Sequence, residues 1–171
     1  MNSLVKILCL VALAIGIMPA GNATATAGGA EAFEKLKSLA GHWEEQQVSD
    51  MKAKMDIELT SGGSAVIERF SMIQEGKPVE MITMYYLDGD QVKMTHYCET
   101  GNQPTMRGTY APETKTLTFN FVGATNMKSP DDGHMHHAVY TFVDNDHLRT
   151  LWTFQKNQKD TFTEDALYVR K

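Results

Sequence analysis

The sequence predicts an all-β fold, an antiparallel up-and-down β-barrel of about ten strands preceded by a short N-terminal helix. Three observations predict it. After residue 42 the β-branched and aromatic residues recur in short runs with period-two alternation. Gly, Pro, Asn and Asp clusters punctuate those runs, and the connections are too short for parallel crossovers. Ten short antiparallel strands in so small a domain are best accommodated by a barrel that closes its own edges.

In chain order, Phe33, Leu36 and Leu39-Ala40 recur at helical spacing, so a helix is expected over 31–40, stopped by Gly41. Strands are expected at 43–48, 52–60, 64–73, 79–87, 91–98, 105–110, 116–122, 134–143, 147–155 and 161–170. Between them stand Ser61-Gly62-Gly63, Glu75-Gly76-Lys77-Pro78, Asp88-Gly89-Asp90, Gly101-Asn102-Gln103-Pro104, Ala111-Pro112-Glu113, Asp144-Asn145-Asp146 and Lys156-Asn157-Gln158-Lys159. Asp88-Gly89-Asp90 and Asp144-Asn145-Asp146 are read as turns, because neither has the longer loop and distal Glu of a calcium site.

Residues 1–27 have the three parts of a secretory signal peptide in order. Lys6 supplies the positive end, and the apolar run Ile7 to Ile17 is too short to span a bilayer before Pro19 breaks it. A periplasmic or secreted location without a stable membrane anchor is therefore expected. Small residues follow, and cleavage is expected after Ala27, which leaves about 144 residues for a single domain, 28–171. Cys9 leaves with the leader, so Cys98 has no intramolecular disulfide partner. Net charge is −5 for the full chain, with both signs interspersed. No basic stripe is present to release counterions from phosphates, so no nucleic-acid partner is expected.

Leu39-Ala40-Gly41-His42-Trp43, at the junction of helix and first strand, resembles the Gly-x-Trp signature of the calycin superfamily, which includes lipocalins, fatty-acid-binding proteins and nitrobindin-like barrels. The resemblance implies a ligand-enclosing barrel whose end is plugged by Trp43. Nitrobindin-like proteins extend the motif with further glycines; here Glu44, Glu45 and Gln46 follow, and no cofactor is assigned. Thr95-His96-Tyr97-Cys98 with Gly101-Asn102-Gln103-Pro104 is also similar to exported bacterial lipocalin-like proteins.

If the strands alternate in direction, the connections sort into two ends. The turns at 61–63, 88–90, 111–115 and 144–146 share one end; 49–51, 74–78, 99–104, 123–133 and 156–160 share the other, expected to be the mouth. Alternation places Val92, Met94, His96 and Cys98 inward, and likewise Leu117, Phe119 and Phe121. For 134–143 the phase carrying His134, His136, Ala138, Tyr140 and Phe142 is taken as inward. Candidate ligand-binding residues are accordingly His96, Cys98, Asn102, Gln103, Arg107, Phe119, Phe121, His134, His136, Tyr140 and Trp152, with Arg107 a fork for a ligand carboxylate.

Three function classes follow. The first is a non-enzymatic binder of a small, partly apolar molecule in the barrel cavity. A second is a copper or zinc site built from His96, His134 and His136 with Cys98 or a methionine. The third is an enzyme using His96 as a general base, although no Ser/His/Asp order, phosphate loop or dinucleotide fingerprint accompanies it.

Overall fold

The computed structural model describes residues 28–47 and 52–171. The secretory leader read from residues 1–27 and the segment 48–51 lie outside the described residues. One helix, α1 (Gly28–Lys37), precedes ten strands: β1 (Gly41–Glu45), β2 (Lys54–Thr60), β3 (Ala65–Gln74), β4 (Lys77–Asp88), β5 (Gln91–Tyr97), β6 (Gln103–Ala111), β7 (Thr116–Thr125), β8 (His134–Phe142), β9 (His147–Lys156) and β10 (Lys159–Arg170). Each strand pairs antiparallel with its sequence neighbours, and β1 pairs with β10 to close the barrel. All ten expected strands are present.

Several boundaries differ from the sequence expectation, three of them for a clear local reason. The helix ends at Lys37, before Gly41, as the amides of Leu39 and Ala40 switch to the tighter i→i−3 bonds to Leu36 O and Lys37 O, and the carbonyls left free beyond it are taken by side chains. Trp43 Nε1 donates to Leu39 O at 2.7 Å, and Arg170 donates to Ala40 O at 2.6 Å and Ser38 O at 2.9 Å. Gly41 instead opens β1 at φ +144°, where a Cβ would lie 2.8 Å from Arg170 Nη1. Pro78 and Pro104, expected in turns, belong to β4 and β6. The turn before Pro78 is only Glu75-Gly76, at φ +51° and +76°, a positive-φ pair that matches the twist of a hairpin. Asn157-Gln158, at φ +52° and +58°, makes a second such turn.

α1 buries Gly29, Ala32, Phe33 and Leu36, spaced along one face, against β4, β5 and β6. Its first turn lies so close to the β4–β5 turn that a Cβ on Gly29 would stand 1.8 Å from Asp90 O. The helix thus closes the end holding the tight turns. Trp43 is completely buried there, with the Arg170 guanidinium 4.2 Å above its ring. Farther in, Val92, Met94, Met106, Leu117, Phe119, Tyr140 and Leu148 are completely buried, so aromatic and methionine side chains fill much of the interior.

Arg170 joins the last strand to the helix exit through one stacking contact and several charge-assisted bonds to carbonyls, including Asn145 O at 3.0 Å. Arg170→Ala should therefore destabilise the barrel by about 2 kcal/mol, read as a lower urea midpoint. Lys at this position should restore less than half, since an ammonium cannot span the carbonyls as the fork does.

Candidate functional site

The interior carries polar groups that a ten-stranded barrel must bury or satisfy. On β3, Val66, Glu68 and Phe70 share one phase, so Glu68 points into the barrel at 3% exposure. Its Oε2 accepts from Tyr85 of β4 at 2.7 Å and lies 3.3 Å from the Tyr140 hydroxyl of β8. The two hydroxyls stand 2.6 Å apart. Burial pushes the Glu68 carboxyl up to about 7, the tyrosine bonds opposing only part of the shift. Both tyrosines are raised well above their ordinary value, first by burial and then by the Glu68 charge.

His96 of β5 is 4% exposed. Its Nδ1 lies 3.0 Å from Oγ1 of Thr83, the cross-strand partner on β4, and its ring packs 5.0 Å from Trp152. Nε2 is buried with no hydrogen-bond partner. Burial lowers the His96 pKa to about 4, so the imidazole is neutral at pH 7 and presents Nε2 uncharged. A general base of that strength is poorly matched to neutral pH.

Glu68 and His96 line the same cavity, about 20 Å³, with Met55, Phe70, Met81, Met135, Thr150, Trp152, Glu164 and Tyr168. That volume suits one water molecule, which needs roughly 10–15 Å³. Glu164 of β10 is raised by partial burial and by the Glu45 carboxylate. Among the described residues neither Glu68 nor Glu164 has a Lys or Arg in ion-pair range, and neither cation type lines the cavity.

The remaining candidates fall into three further places. Phe119 and Tyr140 are completely buried core residues, their rings 5.8 Å apart. Cys98, Asn102, Gln103, Phe121, His134 and His136 gather at the loop end, as strand alternation requires. Asn102 donates to Gly133 O at 2.8 Å, Asn126 to Gly101 O at 2.6 Å, and Thr125 to Gln103 at 2.6 Å, stitching loop 98–102 to loop 126–133. Asn157 and Gln158 tie the β9–β10 turn to Asp131. Cys98 is buried under this cap, its amide bonded to Asn102 O.

His134 and His136 do not join His96. His134 Nδ1 lies 2.8 Å from Asp132 O, its Nε2 lies 3.1 Å from His136 Nδ1, and both rings pack on Phe121. Desolvation, with His134 nearby, lowers the His136 pKa. A register shift between Met135 and His137 in β8 explains the placement: it puts Met135 in the cavity wall while Ala138, Tyr140 and Phe142 keep the expected inward phase. Among the described residues, no group of three or more His, Cys, Asp or Glu is placed to hold a metal ion. Arg107 is exposed, cross-strand from Lys93 and Asn120 on the outer face, so it does not reach the interior.

Sequence reasoning missed Glu68, Tyr85 and Glu164. For the two glutamates a signal existed: Glu68 is in phase with Val66 and Phe70, and Glu164 with Ala166 and Tyr168, each a charge on an apolar face.

The two buried groups set opposing pH dependences. Glu68 is raised in the fold, so folding retains its proton and stability falls as pH rises from about 4.5 to about 7. His96 is depressed, so the unfolded chain holds the extra proton and stability rises from about 4 to 6.5. The slopes offset each other between those limits. Glu68→Gln keeps an acceptor for the tyrosines and removes one slope. Relative to wild type it should gain roughly 3 kcal/mol between pH 4.5 and 7.5, measured by urea unfolding across pH.

No protein-family model matches the chain, and no curated protein matches it. Among solved structures the fold is similar to the crystal structure of Rv2717c from M. tuberculosis, at TM-score 0.61 and 14% identity, covering 82% of this chain and 97% of that one. At that identity the likeness is one of barrel fold.

Proposed function

We propose that this protein is an exported calycin-like barrel that binds a small, partly apolar molecule in its interior. The observation that carries the reading is His96 Nε2, buried in the wall of the cavity and without a partner. A buried polar atom left unpaired costs about 1–3 kcal/mol, which a ligand hydrogen bond would recover. Three methionines, Met55, Met81 and Met135, stand in the same wall. Their unbranched side chains re-pack readily, which lets a cavity of this size widen around a ligand. Trp152 and Phe70 add apolar surface, while His96 and Glu68 supply orientation, the usual division of labour in a small-molecule site.

Export rests on the leader read from residues 1–27, and calycin kinship on Gly41 and Trp43. The larger groove beside α1, about 400 Å³, supports binding less well, because Arg170, a principal side chain in it, is already committed to backbone carbonyls.

Native mass spectrometry of the full-length gene product recovered from the cell envelope tests binding and processing together. The expected protein mass begins near Gly28, with one organic adduct that leaves on denaturation and is depleted in His96→Phe. An unprocessed chain contradicts export. A bare mass for the wild type, with Trp152 fluorescence unmoved by added 1-hexanol, contradicts interior binding.

A further inference from the structure

The cavity holds two carboxyl groups, Glu68 from β3 and Glu164 from β10, in a wall with no Lys or Arg. We propose that the interior site takes a small organic cation with an apolar body, of the protonated-amine class, its charge between Glu68 and Glu164 and its N–H directed to His96 Nε2. The proposal rests on the interior-binding reading and names the chemical class of its ligand.

Three features of the wall select that class. An anionic ligand such as a fatty acid would meet two carboxyls and no counter-charge, and the exposed Arg107 cannot supply one. A hard metal ion such as calcium or magnesium would need several oxygen ligands, whereas Met55, Phe70, Met81, Met135 and Trp152 make half the wall. An alkylammonium satisfies both halves, its chain against the methionines and its head toward the carboxyls and the aromatic faces. His96, neutral at working pH, accepts a hydrogen bond without repelling the cation.

The groups facing the two carboxyls fix the pH response. Tyr85 of β4 and Tyr140 of β8 face Glu68; Tyr168 of β10 and Glu45 of β1 stand near Glu164; His96 of β5 shares the cavity. Both tyrosines and Tyr168 stay protonated near neutrality, so Glu68 is the group that titrates against the ligand there. A cation favours ionised Glu68, so its binding expels that proton and tightens as pH rises through about 7.

The test uses three probes of one chain length, hexylammonium, 1-hexanol and hexanoate, added to protein carrying 13C-methyl methionine, with the methyls of Met55, Met81 and Met135 as the readout. At pH 8 hexylammonium should move these signals with roughly tenfold higher affinity than 1-hexanol, the scale of one charge-assisted bond, and hexanoate should not move them. Glu164→Gln and Glu68→Gln should each remove most of the amine's advantage and leave 1-hexanol unchanged. Hexylammonium affinity should rise between pH 6 and 8 while that of 1-hexanol stays flat. If 1-hexanol or hexanoate binds as tightly as the amine, the cation assignment is overturned and interior binding stands. If none of the three moves the methionine methyls, interior binding itself falls, and the cation assignment with it.

Discussion

Closure is the constraint on which the rest of this structure depends. Ten antiparallel strands joined edge to edge close the sheet on itself, but they also commit every second side chain to an enclosed space. Whatever points inward must pack or find a partner there. Phe119, Met94, Met106 and Leu148 pack. Glu68 finds two tyrosines, reached from strands β4 and β8, so one carboxyl links opposite parts of the wall. His96 finds Thr83 on one side and nothing on the other.

The two ends of the barrel are closed by different means. At the helix end, α1, Trp43 and Arg170 form a plug in which each group satisfies another: the indole and guanidinium take the carbonyls released where the helix stops. At the other end, three loops are stitched by amide side chains, with Asn102, Asn126 and Gln158 each bonding to a neighbouring loop. Hydrogen bonds between surface loops exchange with water at small net cost. The loop end is therefore the easier one to open, and it is the end toward which β5 carries His96.

The strand count, the inward face of β5 and the gathering of Cys98, Asn102 and His134 at one end were legible, because period-two patterning and turn chemistry are local signals. The division of the histidines was not. A register shift between Met135 and His137 turns the start of β8 so that Met135 enters the cavity wall and His136 packs on Phe121, and nothing in Gly133-His134-Met135-His136-His137 announces it. The buried network was half legible: Glu68 shows as a charge in an apolar phase, but its partners lie 17 and 72 residues away. Arg107 illustrates the reverse case, a suggestive residue type on the phase that closure sends outward.

The barrel interior holds a carboxylic acid protonated near neutral pH beside an unpaired, neutral imidazole. Infrared difference spectroscopy on protein with 13C-labelled glutamate reads it directly, through the C=O stretch that only a protonated carboxyl shows. Between about pH 6 and pH 9 one such band should be lost with a midpoint about 7, and Glu68→Gln should lack it. A Glu68 band that vanishes with the exposed carboxylates, near their ordinary pKa of about 4.3, would contradict it.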